Sequence, residues 1–184
     1  DMRFSKENSI TAGLILNKSS EEQLVEIFSN FGEVPISKRL AKRIVEERAK
    51  APFVYTLDFV SRIEDLIPVK EKHKILACVF QALRIATNDE LNVLLNGLKR
   101  IFKYLAKGGR MVVISYHSLE DRIVKDFFNS QLRPLETSPE KALKSIHGDP
   151  KLEILTKKVV LPTPTEAEEN PRARSAKLRA IVKL

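Results

Sequence analysis

The side chains best equipped for chemistry lie in one short stretch: Ser115, His117, Ser118 and Asp121, interleaved with Tyr116, Glu120 and Arg122. A serine, a histidine and an aspartate this close invite a nucleophile-and-base reading, in which the imidazole takes the hydroxyl proton. The G-x-S-x-G elbow that would display such a serine is absent, and three residues in one local run seldom assemble a triad. A second reading is a polar loop that contacts a ligand. A third is helix capping with ordinary solvation, since Ser118 precedes Leu119-Glu120-Asp121, an S-x-x-D helix start. Metal chemistry is not expected. His73, His117 and His147 have no paired ligand spacing, and Cys78 is the single cysteine, so no zinc-type donor set forms. The chain carries neither a P-loop nor a G-x-G-x-x-G run.

These residues need a scaffold, and the flanking sequence predicts one. Gly108-Gly109-Arg110 leads into Met111-Val112-Val113-Ile114-Ser115, an apolar, β-branched run that reads as a buried strand. The run turns polar abruptly and feeds a helix reaching about residue 129. In open α/β sheets ligands sit at the carboxyl ends of strands, so the polar cluster stands where a site is expected. Upstream, Ile75, Leu76, Val79, Phe80, Leu83 and Ile85 give a dense apolar helix. Asn88-Asp89-Glu90 then introduces a second helix bearing Leu91, Leu94, Leu95, Leu98, Ile101, Phe102 and Leu105. Helix, glycine turn and buried strand form half of an α/β unit.

Residues 5 to about 70 read differently, as short helices with no convincing strand. Thr11 to Leu16 makes a short helical turn. Ser20-Glu21-Glu22-Gln23 is a capping box, followed by Leu24, Ile27, Phe28 and Phe31 at helical spacing and by Gly32 as C-cap. Ser37 is expected to cap a helix over 38–50, and Thr56 another over 57–66, closed by Pro68. The first of these carries Lys38, Arg39, Lys42 and Arg43, a face that either tracks a nucleic-acid backbone or is simply solvated. The change in character places a domain boundary near residue 70. After the Ser118 helix, Pro134 and Pro139 bracket a polar stretch, and His147-Gly148-Asp149-Pro150 reads as a turn. Leu152 to Val160 reads as a strand, and residues 180–184 as the last one. Arg172, Arg174, Lys177 and Arg179 lead into it, either as phosphate contacts or as a charged terminus.

Composition sets the outer bounds. The chain has 184 residues, 43% hydrophobic and 30% charged, and a net charge of +8, with a pI near 9.6. That balance admits a polyanionic partner and equally a solvated basic surface. No apolar run approaches the roughly 18 residues of a membrane span, and no signal peptide is read at the start. One cysteine favours a reducing compartment, with Cys78 expected as a buried structural thiol. The first residue is Asp1 rather than methionine, so the chain reads as a piece of something longer.

Three motifs in order carry a resemblance: Phe80-Gln81-Ala82-Leu83-Arg84-Ile85 with Asn88-Asp89-Glu90-Leu91; Gly108-Gly109-Arg110 with Val113-Ile114-Ser115-Tyr116-His117-Ser118-Leu119-Glu120-Asp121-Arg122-Ile123-Val124-Lys125; and Asn170-Pro171-Arg172-Ala173-Arg174-Ser175-Ala176-Lys177-Leu178-Arg179. Together they resemble the bacterial 16S ribosomal RNA cytosine-N4 methyltransferases, the RsmH/MraW family. Asp1-Met2-Arg3 and Gly32-Glu33 also resemble family signatures. The sequence departs from the family pattern just before Phe80, where Ile75-Leu76-Ala77-Cys78 replaces the usual His-Pro-Ala-Thr.

The resemblance implies an α/β fold: part of a class I, Rossmann-like S-adenosylmethionine methyltransferase with an inserted all-helical domain. Residues 1–4 would end the N-terminal part of the methyltransferase domain, 5–70 would form the insertion, and 71–184 the C-terminal half. It implies N4-methylation of a cytidine in small-subunit ribosomal RNA, in the cytoplasm, by an enzyme for which a homodimer is also expected. The S-adenosylmethionine site would lie mainly in an N-terminal region not in this sequence, leaving no cofactor-binding residue here and a fragment inactive by itself. Ser115, His117, Ser118 and Asp121 would line the target-base pocket. Arg84, Arg122, Arg172, Arg174 and Lys177 would contact RNA or hold a structural network, with an internal Arg84–Asp121 ion pair as the other option. A non-catalytic RNA-binding module is the alternative for the chain as it stands.

Overall fold

A computed structural model of the chain describes residues 1–132 and 151–184; the stretch between Pro134 and Pro139 and the predicted turn at His147-Gly148-Asp149-Pro150 lie outside the described residues. Two compact units emerge, Asp1–Glu90 and Leu91–Leu184.

The first unit is helical. α1 (Ala12–Lys18) is capped by the Thr11 hydroxyl, which accepts from the Leu14 amide at 3.0 Å. α2 (Glu21–Asn30) begins with the expected capping box: Ser20 Oγ accepts from the Gln23 amide at 3.2 Å, and Gln23 Oε1 accepts from the Ser20 amide at 2.9 Å. α3 (Ser37–Lys50) and α4 (Thr56–Ile63) each start at their predicted cap, one residue earlier than expected. Ser37 and Thr56 are therefore the first helical residues, and Ile36 and Tyr55 occupy the cap positions without a side-chain bond. α5 (Lys72–Asn88) packs on α1 and α2. So the apolar helix that follows the change in character near residue 70 shares the first unit's core. Leu24, Phe28, Leu40, Ile44, Phe59, Ile63, Val79 and Ala82 are all essentially inaccessible there. Burying a large aliphatic or aromatic side chain contributes about 1.5–3 kcal/mol, so this core is what holds the short helices together. Cys78 packs at its edge, half-buried rather than fully enclosed.

Gly32 serves a different purpose from the one expected. The left-handed residue after α2 is Glu33, with φ 49°. A Cβ on Gly32 would lie 2.7 Å from the Cys78 carbonyl oxygen. The glycine is needed because the α2–α3 turn presses directly onto the backbone of α5.

In the second unit α6 (Glu90–Tyr104) and α7 (Ser118–Leu132) pack on a three-stranded sheet made of β1 (Arg110–Ser115), β2 (Leu152–Ile154) and β3 (Lys177–Lys183). The sheet order is β1-β3-β2. β3 runs antiparallel to both neighbours, with Met111 opposite Ile181 and Ser115 opposite Lys177. Gly108, at φ 73°, makes the turn from α6 into β1. Lys183 ties the end of β3 to the end of α6: its ammonium donates to the carbonyls of Phe102 at 3.0 Å and Leu105 at 2.6 Å. A cation on the last carbonyls of a helix is favourable. Leu98, Phe102, Met111, Val124, Phe127, Leu152 and Ile181 form the core between helices and sheet.

Two strand expectations change. The predicted strand over 152–160 is shorter, because the Leu155 and Thr156 amides both donate to the Ala180 carbonyl, at 2.9 and 3.3 Å. Two residues opposing one is a β-bulge, and pairing resumes only as an isolated bridge at Val160. β1, expected to be buried, is covered on one face only. Met111 and Ser115 point inward, while Val112 and Ile114 are 58% and 52% exposed. Apolar residues on both faces are the composition of a strand covered on both sides; among the described residues β1 is covered on one side and paired along one edge. The last strand begins at Lys177, earlier than expected, after a helix α8 (Pro164–Glu169) and a 3-10 turn, Pro171–Ser175. Among the described residues no helix is long and apolar enough to cross a membrane.

Candidate functional site

The end of β1 and the first turn of α7 gather Ser115, His117, Ser118 and Asp121 in one place. α7 begins at Ser118, so the cap is His117 rather than Ser118. Its Nδ1 accepts from the Glu120 amide at 3.4 Å. The Glu120 carboxylate turns back and accepts from the Tyr116 amide at 2.8 Å. This is a capping box in which an imidazole replaces the hydroxyl. His117 Nε2 is buried and lies 3.2 Å from Glu120 Oε1, in ion-pair range but without the alignment of a hydrogen bond. Because Nδ1 accepts, the neutral ring carries its proton on Nε2, facing that carboxylate. The His117 ring and the Tyr116 amide hold the Glu120 carboxyl below its ordinary pKa.

Ser115 is 3% exposed, and its hydroxyl donates to the Lys177 carbonyl at 3.4 Å across the sheet. Ser118 is exposed on the first turn of α7. Asp121 is bonded in bidentate fashion to Arg179: Nε to Oδ1 at 2.7 Å and Nη2 to Oδ2 at 3.0 Å. The two side chains are 17% and 15% exposed for Arg179 and Asp121 respectively. The Arg179 guanidinium, with Lys177 and Lys125 beside it, holds the Asp121 carboxyl below the usual aspartate range. The surroundings of Asp121 are therefore cationic, while the second carboxylate of the β1 tip, Glu120, is held by Tyr116 and His117.

Of the candidate RNA contacts, Lys177 faces Ser115 in the sheet register and Arg122 is exposed on α7. Arg172 and Arg174 are exposed on the 3-10 turn before β3. Arg84 belongs to the first unit, where Nε and Nη2 bond Glu90 at 2.8 and 3.0 Å. The internal Arg84–Asp121 pair is thus not what forms; each partner is bonded elsewhere, to Glu90 and to Arg179.

Three residues take roles other than those expected of them. Arg179 and Glu120 organise the β1 tip. Their signals were the two-residue alternation of Lys177 and Arg179 along a strand, and the third position after a cap. In the first unit Asn88 binds the opening segment: its side chain donates to the Met2 carbonyl and accepts from the Phe4 amide, both at 2.8 Å. Asp1 and Arg3 pair at 2.7 Å within that segment. The motif that begins at Phe80 therefore fastens the Asp1-Met2-Arg3 motif. Among the described residues no group of histidine, cysteine or acidic side chains is arranged to hold a metal.

Comparison with known proteins supplies the family. A family model described as the MraW methylase family matches residues 1–184. A ribosomal RNA small subunit methyltransferase H from Dictyoglomus thermophilum is 47% identical over 179 residues, covering 97% of this chain and 54% of that protein. Its namesakes from Carboxydothermus hydrogenoformans and Methylococcus capsulatus are 42% and 44% identical, each covering 100% of this chain and 60% of the relative. The chain thus spans somewhat over half the length of the curated relatives it matches.

Proposed function

The chain belongs to the MraW methylase family, and from that membership we propose that it is part of an S-adenosylmethionine-dependent enzyme that methylates N4 of a cytidine in small-subunit ribosomal RNA. The observation that carries this reading is the match along the whole chain to relatives named for ribosomal RNA methylation. In this reading β1, β3 and β2 are the C-terminal strands of a class I sheet. The exposed Val112 and Ile114, and the edge of β1 that is unpaired among the described residues, support it, since they are surface suited to further sheet and helix. The helical unit, through α4, corresponds to the inserted domain.

The loop leaving β1 contains no glycine, and the concavity lined by Arg179 has a volume of about 100 Å³, too small for S-adenosylmethionine. Sites for ligands of that size begin at about 300 Å³. We place the cofactor site in the additional length of the relatives.

What these residues do is hold the acceptor. The exocyclic amine of cytosine is a weak nucleophile because its lone pair is delocalised into the ring. It needs an oxygen or nitrogen acceptor on one amine hydrogen, and fixed alignment with the methyl donor. The base must leave its stack to reach such a pocket. Ser115, His117 and Ser118 form one wall of that pocket. Asp121 acts as a positioning residue through Arg179. Arg122, Arg172, Arg174 and Lys177 hold the RNA backbone, and Arg84 is structural.

The test uses a protein of the relatives' full length carrying this sequence, small ribosomal subunits and labelled S-adenosylmethionine. N4-methylcytidine in the nucleoside digest is expected, and no transfer refutes the reading. Methyl transfer by the 184-residue chain by itself would overturn the placement of the cofactor. The alternative, a non-catalytic RNA-binding module, is favoured by the net charge of +8. It predicts salt-sensitive RNA binding without transfer in every form of the protein.

A further inference from the structure

A small concavity lies between α7, β3 and the bulge that ends β2. Its floor is Phe128, and its polar lining is Lys125, Asn129, Thr156, Lys157 and Arg179. We propose that this concavity is a phosphate-binding subsite that seats one backbone phosphate of single-stranded RNA.

The lining is chemically one-sided. Among the described residues it offers two ammonium groups, a guanidinium, a side-chain amide and a hydroxyl, and no carboxylate. Lys125 and Lys157 are exposed and make no hydrogen bond or ion pair among the described residues. Arg179 spends Nε and Nη2 on Asp121, which leaves Nη1 for a ligand. Guanidinium and ammonium together suit a tetrahedral anion, one as a planar fork and the other as a point charge. Thr156 is fixed by the bulge: its Oγ1 accepts from the Ala180 amide at 2.9 Å, so its own hydrogen is directed elsewhere. The bulge places Thr156 in the lining of the concavity. Such irregularities re-aim side chains beside functional sites. Asp121 is hydrogen-bonded to Arg179, and Lys125 acts on it only through space, so among the described residues the cations around the concavity outnumber the carboxylates.

Size selects the ligand. The volume is about 100 Å³, well below the roughly 300 Å³ at which sites for whole small-molecule ligands begin. A phosphate group fits, but a nucleotide with base and sugar does not. A site that accepts only the phosphate recognises it as part of a chain whose remainder lies outside. RNA as the source of that phosphate rests on the function proposed above; the affinity for phosphate itself does not.

The experiment is amide and side-chain NMR of the 184-residue chain, titrated separately with inorganic phosphate and with a short single-stranded RNA, for the wild type and for Lys125→Gln/Lys157→Gln. Both ligands are expected to shift the Asn129 side-chain amide and the Thr156 and Lys157 backbone amides. The double variant should lose these shifts while keeping its dispersed spectrum. Its log affinity for RNA should depend less steeply on log salt, by about 1.4 for two lost phosphate-facing charges on a single strand. Absence of shifts with either ligand overturns the subsite. Shifts with phosphate but none with RNA overturn RNA as the source and assign the site to a free phosphate. An unchanged salt slope in the double variant overturns the RNA assignment as well. None of these outcomes bears on methyl transfer, which is measured separately.

Discussion

Asp121→Asn should loosen the second unit, and more than loss of its partner does. The Asp121–Arg179 pair is bidentate, with oxygen–nitrogen separations of 2.7 and 3.0 Å, and both side chains are more than four-fifths buried. Unit charges about 4 Å apart attract by about 4 kcal/mol at an effective dielectric of 20. Desolvation of both groups takes back part of that. The net contribution should be about 2 kcal/mol, between exposed pairs at 0–1 and the 3–5 lost on breaking a fully buried one. Removing the carboxylate leaves Arg179 beside Lys125 and Lys177, the cations that already act on Asp121. Removing the guanidinium leaves Asp121 with both lysines. Asp121→Asn should therefore cost more than Arg179→Gln, and the two should be strongly non-additive in a double-mutant cycle. Hydrogen exchange of peptides from β1 and β3 reads the second unit directly. At about 1.4 kcal/mol per tenfold, their slowest amides should exchange about thirtyfold faster in Asp121→Asn. A change under threefold, or additive single variants, refutes the structural role and returns Asp121 to the list of direct base contacts.

Other consequences follow from particular contacts. The Asp121 and Glu120 carboxyls titrate below their ordinary values when folded, so the stability they supply is complete above about pH 4.5 and is lost as pH falls through those lowered values. Acid unfolding of Asp121→Asn/Glu120→Gln should be shallower than wild type in that window; an identical slope counts against both bonds. Lys183→Met removes the cation from the Phe102 and Leu105 carbonyls and should cost about 1 kcal/mol, seen as a lower calorimetric midpoint, whereas an unchanged midpoint dismisses the cap. Gly32→Ala brings a Cβ to within 2.7 Å of the Cys78 carbonyl and should destabilise the helical unit by about 1–3 kcal/mol in urea; a neutral variant means that the α2–α3 turn yields. His117→Ser keeps a capping side chain at the start of α7 where His117→Ala does not, so α7 should lose about 1 kcal/mol only in the alanine variant. If the serine variant also methylates at the wild-type rate in the full-length enzyme, the imidazole has no part in the base pocket.

The sequence by itself determined the helices, the strand β1 and the polar cluster that follows it. These rest on short-range signals: apolar spacing, a Ser20–Gln23 capping box, and glycines ahead of a β-branched run. It also carried the three motifs by which the family is recognised. Tertiary structure decided which charged groups meet. Arg84 chose Glu90, six residues away, and Asp121 chose Arg179, fifty-eight residues away. The second choice depends on the β1–β3 register, which no local pattern encodes. The same holds for Gly32, whose requirement comes from α5 pressing on the turn, and for the bulge at Thr156, which exists because β3 offers one carbonyl to two amides. Local preference is written within a turn or two of the chain. Partner choice and close approach arise only when distant segments share a surface, and at this protein's β1 tip those long-range contacts set the charge of the candidate site.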